Sequence, residues 1–257
     1  MLFLRPAGGL CNRLKALKSA IGLMTSLNRR LVVCWRLDRE MNISFGRLFQ
    51  LPDCFKIYDG VHENFITKTL FSKYNWLMNV PDNDAHIAER IKERGLLPSA
   101  LTTYHDFYEG SESTYDWLKP IDELQSQIDS IRESMPKDIV GVHIRRTDNQ
   151  TAIANSPIDL FMEKLDYEIS NNGQKCFFVA TDDEATKRLL GERYGERIFT
   201  RKGLPSRDDI KGVPNAVIDL FLLASCSKLY GSCGSTFSQE AAKIGKIAFE
   251  VVQKASC

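Results

Sequence analysis

Residues 137–148 read Lys-Asp-Ile-Val-Gly-Val-His-Ile-Arg-Arg-Thr-Asp, an apolar, β-branched run that ends at two guanidinium groups. A run of this kind fits a strand buried on both faces, since neither face needs polar side chains. A strand is therefore predicted at 139–144. Beyond it the pattern alternates regularly. Helices are predicted at 158–170, 184–194, 216–224 and 237–244, and strands at 176–180, 197–200, 228–230 and 247–251. Strands that alternate with helices imply right-handed βαβ crossovers and a parallel sheet covered on both faces, so the second half reads as Rossmann-like α/β.

Toward the N-terminus, Pro136 stops a helix predicted at 121–133, where Ile121, Leu124, Ile128 and Ile131 recur at helical spacing. The chain opens with a predicted strand at 2–5, a Gly8-Gly9 break, a helix at 10–27 and a strand at 31–35, with a further strand at 55–58. Residues 61–117 are rich in aromatics but have no clean period, and no element is predicted there. A domain boundary is expected near Pro136, giving segments 1–136 and 137–257.

The 257 residues are 43% hydrophobic and 26% charged, the mixture of an ordinary globular protein. Thirty-four basic against thirty-three acidic side chains leave a net charge of +1, which removes the broad attraction typical of nucleic-acid proteins. No apolar run reaches the ~20 residues of a membrane span, and the opening MLFLRP is strand-like, so a cytoplasmic protein is expected. The seven cysteines are scattered and include no C-x-x-C pair, which suggests neither a disulfide framework nor a zinc site.

Ligands of open parallel sheets bind beyond the carboxyl ends of the strands. Three polar turns are predicted at that edge: Arg145-Arg146-Thr147-Asp148, Thr181-Asp182-Asp183, and Gly231-Ser232-Cys233-Gly234-Ser235-Thr236. Arginine forms bidentate, charge-assisted bonds to phosphate oxygens, so Arg145 is the candidate diphosphate ligand. Arg146 and Asp148 would equally serve to brace the turns. Ser235 and Thr236, at a helix start, suit an anion, and the same residue types also simply cap helices. Asp182 and Asp183 could hold a divalent metal or could form a helix N-cap, and with arginines at hand no metal is expected. Gly9 and Asn12, after the first strand, fit either close approach of a ligand or a plain tight turn. They lack the G-x-G-x-x-G spacing of a dinucleotide site, which disfavours a dehydrogenase.

Three ordered segments, GVHIRRTD, FFVATDDEATKRLL and AVIDLFLLASCSKLYGSCGSTFSQEAA, together with PAGGLCNRLKAL, resemble the GDP-fucose fucosyltransferase superfamily. The resemblance implies a GT-B fold, two Rossmann-like domains with parallel sheets facing across a cleft. The N-terminal domain would lie on the acceptor side and the C-terminal domain would bind the nucleotide sugar. The donor substrate would be GDP-fucose, with no cofactor or metal, a carbohydrate acceptor and inversion at the anomeric carbon. Carried over by position, Arg145 and Ser235 hold the β-phosphate, with Arg145 stabilising the departing diphosphate. His143 and Asp219 contact guanine, and Arg146, Asp148, Asp182 and Asp183 support them. Asp219 stands in an apolar helix, where a buried cap or a salt-bridge partner is the other reading.

The chain departs from the core α1,6 enzymes of that superfamily where acceptor chemistry belongs. Asn149-Gln150-Thr151-Ala152-Ile153 replaces a lysine and a glutamate, and Phe161 replaces a tyrosine. The general base is thus open, with His105, Asp106 and Asp38 as candidates. A different nucleotide sugar, or GDP binding without transfer, are the alternative functions.

Overall fold

A computed structural model of the protein describes residues 1–62, 64–72, 75, 78–82, 86–147, 149–201 and 212–255. Its contacts divide the chain into two units, Met1–Ile121 and Asp122–Cys257.

The first unit runs β1 (Leu2–Pro6), α1 (Leu10–Ser26), β2 (Leu31–Arg36), β3 (Lys56–Val61), α2 (Phe65–Leu70), β4 (Asn79–Val80), α3 (Ile87–Glu93) and β5 (Ser99–Thr103). The strands form one parallel sheet in the order β3-β2-β1-β5-β4. Leu2, Leu4, Leu14 and Leu17 are fully buried, so β1 and α1 supply the centre of this core. Between β2 and β3 the chain folds over an aromatic cluster in which Phe45 packs on Trp35, Phe49 and Phe55, with centroid distances of 5.3, 5.2 and 6.1 Å. The Trp35 indole N–H donates to the Ile43 carbonyl at 2.9 Å, which satisfies its one polar atom.

The second unit runs α4 (Asp122–Glu133), β6 (Val140–Ile144), α5 (Gln150–Asn155), α6 (Ile158–Asn171), β7 (Phe177–Thr181), α7 (Glu184–Tyr194), β8 (Ile198–Phe199), α8 (Gly212–Ala224), β9 (Lys228–Ser232), α9 (Thr236–Gly245) and β10 (Ala248–Val252). Its parallel sheet has the order β10-β9-β6-β7-β8. Side chains along β6 alternate between two helical layers. Val140, Val142 and Ile144 pack with Phe161 and Leu165 of α6 and with Leu190 and Tyr194 of α7. On the other face His143 meets Phe237 and Ser238 of α9. Both faces are covered, which is why all five β6 residues are buried and the strand reads as a continuous apolar run.

The expected boundary at Pro136 places α4 with the first unit, whereas its contacts place it with the second, packed on α8 through a face that buries Leu124 and Ile128. Helical spacing shows that a stripe must be covered but not which element covers it. Helix α5 begins at Gln150, with the Asn149 side chain accepting from Ala152 N at 3.0 Å as its cap.

Helix α9 lies unusually close to its neighbours at both ends. A Cβ on Gly231 of β9 would collide with the Ser238 side chain, and one on Gly245 would collide with the backbone carbonyl of Ala224 at the end of α8. Backbone cannot move aside as a flexible side-chain tip can. Gly245→Ala is therefore expected to lower the unfolding free energy by about 1–3 kcal/mol, the usual cost of overpacking. Denaturant titration against Gly173→Ala, where nothing lies within 4 Å, checks this.

Candidate functional site

The strand order of the second unit sets β6 beside β9, and their crossovers leave in opposite directions, toward β7 and toward β10. This is a topological switch point, where a crevice opens beyond the strand ends. The turns after β6 and β9 both lie at that edge and are joined by hydrogen bonds. Arg145 N donates to Ser232 Oγ at 3.0 Å, and Ser232 Oγ lies 3.5 Å from the His143 carbonyl. Cys233 N donates to Ser156 Oγ at 2.8 Å, which ties the second turn to the segment before α6.

Asp182 organises the first turn. Its Oδ1 accepts from Arg146 N at 2.7 Å, and its Oδ2 accepts from Thr147 N at 3.4 Å and from Thr147 Oγ1 at 2.7 Å. Oδ2 also lies 3.1 Å from Arg145 Nε. The Arg145 guanidinium is thereby fixed by a buried carboxylate at the mouth of β6. The Arg146 side chain is half-buried among the charges of Asp183, Asp182 and Asp159, and burial lowers its pKa against their pull. Its Nη2 is buried without a hydrogen-bond partner among the described residues. Asp148 lies outside the described residues.

Asp183 does a different job from Asp182. It caps α7, with Oδ2 accepting from Thr186 N at 2.8 Å and Thr186 Oγ1 at 2.6 Å, and these bonds hold its carboxyl below the usual range. The two neighbouring carboxylates are thus committed to separate donors. Among the described residues no group of three or more His, Cys, Asp or Glu is arranged to hold a metal ion.

Ser235 stands at the N-cap of α9 but makes no capping bond with its side chain. Its hydroxyl turns instead to His143 Nδ1 at 3.3 Å, where Ser238 Oγ also lies at 3.3 Å. The N–H groups that start at Thr236 therefore lack a side-chain acceptor from Ser235, the arrangement that receives an anion at a helix start. The His143 ring stacks on Phe237 with centroids 4.8 Å apart. Burial, aided by the Arg145 charge and opposed by Asp182, pushes the His143 imidazole down to about 4. It is neutral at physiological pH.

Asp219, on α8, is paired bidentately. Its Oδ1 lies 2.9 Å from Arg201 Nε and its Oδ2 3.2 Å from Arg201 Nη2. Burial raises its pKa and the Arg201 and Lys187 charges oppose that shift. The salt-bridge reading of Asp219 is realised, and its partner Arg201 was not among the residues singled out from sequence. Phe237 and Ser238, which contact His143, were not singled out either, although the Ser- and Gly-rich spelling of residues 231–238 was the available signal.

In the first unit, Gly8 adopts a left-handed backbone with φ of 80°, and a Cβ there would meet Asn12 Nδ2 at 2.9 Å. Gly9 is the N-cap of α1 without a side-chain bond. Arg13 is fully buried below this turn. It donates from Nε to the Gly8 carbonyl at 2.8 Å, from Nη1 to the Arg36 carbonyl at 2.5 Å and from Nη2 to Asp38 Oδ2 at 2.8 Å. Asp38 is thus an ion-pair partner. Asp106 is held by Lys18 Nζ at 2.7 Å and by the Ser19 hydroxyl, and His105 Nε2 lies 3.9 Å from Asp82 Oδ2. Of the three candidate bases, two carboxylates are already tied to cations.

Two parallel α/β sheets, with charged and hydroxyl-bearing turns at the switch point of the second, define a fold of the GT-B type. Solved structures with this architecture cover nearly the whole chain. One is a NodZ alpha-1,6-fucosyltransferase soaked with GDP-fucose, 18% identical, with a TM-score of 0.65 over 95% of this chain and 92% of that one. The NodZ fucosyltransferase from Bradyrhizobium is 17% identical, with a TM-score of 0.63 over 93% and 92% of the two chains. POFUT1 in complex with GDP-fucose is 13% identical, with a TM-score of 0.64 over 98% and 97%. No family model matches the chain, and no curated protein matches it. At these identities the likeness establishes the fold. Among the described residues no helix is long and apolar enough to cross a membrane.

The neutral state of His143 gives a pH prediction. Above about pH 6.5 both folded and unfolded chains carry neutral imidazole, and the stability is fully present. As pH falls from about 6.5 toward 4 the unfolded chain takes up a proton that the folded state refuses, costing about 2–3 kcal/mol by pH 4.5. Denaturant unfolding at pH 7.5, 5.5 and 4.5 should show this slope, and His143→Gln should flatten it.

Proposed function

We propose that this chain is an inverting, metal-independent glycosyltransferase that moves fucose from GDP-fucose to a hydroxyl of a glycan or glycoconjugate. The observation that carries the reading is Ser235. By giving its hydroxyl to His143 rather than to its own helix, it leaves the α9 start for an anion, within one hydrogen-bonded network with Arg145. A diphosphate there meets helix N–H groups, hydroxyls and a guanidinium without any need for net positive charge. Solved proteins of the same fold contain GDP-fucose, which supports this nucleotide over others.

In this reading Arg145 and Ser235, with Thr236, hold the β-phosphate, and His143 and Asp219 face guanine. Arg146, Asp148, Asp182 and Asp183 keep the phosphate-binding turns in shape. As the glycosidic bond breaks, negative charge grows on the leaving diphosphate. Arg145, already oriented by Asp182, stabilises it with little reorganisation. The first unit, with Gly9 and Asn12 at its first turn, is assigned to the acceptor. The cytoplasm is the proposed location, a compartment in which free thiols such as Cys34 and Cys226 persist.

A second reading, GDP binding without transfer, is favoured by one feature. Phe161 is fully buried in the core and Asn149 caps α5, so neither position supplies a base to an acceptor hydroxyl.

Calorimetry with GDP, UDP and ADP should give binding selective for GDP. Arg145→Ala is expected to weaken GDP about 10–100-fold, the scale of lost charge-assisted bonds. It should reduce sugar transfer by a further factor of about 100, as for a removed transition-state donor. Undiminished GDP binding in that variant would overturn the assignment, whereas GDP binding with no turnover of GDP-fucose on any glycan would favour the second reading.

A further inference from the structure

The Asp219 carboxylate lies in the otherwise apolar run 216–223 of α8, and its side chain is 6% exposed. A buried carboxylate is tolerated only when strong donors satisfy it. Here both oxygens are taken by the two parallel donors of one planar group, Nε–H and Nη2–H of Arg201. Arg201 stands just beyond the edge strand β8, on the same side of the sheet as the phosphate-binding turns. The Watson–Crick edge of guanine carries the same pattern, because N1–H and the 2-amino group are parallel donors on an N–C–N unit like that of guanidinium. Both would approach the carboxylate from its two-oxygen side.

We infer that Arg201 occupies the place of a guanine edge on Asp219 in the free protein, so that nucleotide binding is an exchange in which the base displaces the guanidinium. This rests on the proposed reading in which Asp219 faces guanine. The exchange makes Arg201 a competitor that sets affinity, while the buried Asp219 carboxylate selects the base. Guanine replaces two donors with two. Hypoxanthine and uracil offer a single ring N–H, and adenine presents one amino donor beside an acceptor nitrogen, so each leaves part of a buried carboxylate unmatched. Lys187 of α7 supports the exchange. Its Nζ donates to the Arg201 carbonyl at 3.1 Å, and its charge acts on Asp219. The Arg201 backbone is therefore held while its side chain moves, and a cation stays near the carboxylate throughout.

The test is calorimetry of the full chain with GDP and IDP, which differ only in the 2-amino group. Arg201→Lys keeps the charge but cannot present two parallel donors to one carboxylate. It is expected to bind GDP about tenfold more tightly than the unaltered protein, the scale of one charge-assisted bond no longer displaced, and to keep the preference for GDP over IDP. In the unaltered protein, the Arg201 Nε–H resonance in 15N NMR should be protected from solvent when free and should exchange faster once GDP saturates the site. Unchanged or weaker GDP binding by Arg201→Lys, or an Nε–H that stays protected at saturation, overturns the exchange alone. The NMR arm decides if the variant does not fold. An unaltered protein that binds GDP no better than IDP overturns both the exchange and the guanine role of Asp219, and one that binds no GDP overturns the donor assignment itself.

Discussion

The candidate site depends on one buried carboxylate. Asp182 follows β7, yet nearly everything it binds belongs to the turn after β6: two backbone N–H groups, the Thr147 hydroxyl and the Arg145 guanidinium. A carboxylate with so many donors outweighs its desolvation penalty, and in doing so it fixes both the path of the turn and the direction of the arginine. The parallel sheet makes this possible. Because β6 and β7 run side by side in register, Ile144 beside Thr181, the residues that follow them emerge at the same edge within hydrogen-bonding reach.

The second unit was largely legible in sequence, for a physical reason. Strands buried on both faces are largely apolar, so β6 and β7 stand out as β-branched and aromatic runs, and the predicted bounds of α7 match its acidic first turn. The first unit was only half legible. β5 spells Ser-Ala-Leu-Thr-Thr and owes its place to pairing with β1 along its whole length, so no apolar run announces it. β4 is two residues long and α2 only six, too short for any period to be read. The aromatic wealth around them serves packing rather than a regular element. Phe71, for example, is buried with Cys34 and Ala100.

For the site, the sequence named residues but could not name their partners. The helix-cap role of Asp183 is carried by Thr186, three positions on, a local relation. Asp219 and Arg201 are separated by a polar segment with no periodic relation, so their pairing could be found only in three dimensions. Ser235 has the spelling of an ordinary N-cap, and only the fold reveals that a histidine from the neighbouring strand claims its hydroxyl. Arg13 is the converse case. A cation just after a glycine turn invites a ligand-binding interpretation, yet it is fully enclosed in α1 and braces the turn after β1 and the end of β2 through carbonyl groups.

The pair of glycines that bear on α9, one facing Ser238 near its start and one against the carbonyl of Ala224 at its end, has a mechanical consequence. A helix seated that tightly has little compliance along its axis or toward the sheet. The amide dipoles of its first turn therefore cannot recoil or tilt, and their field points in one fixed direction.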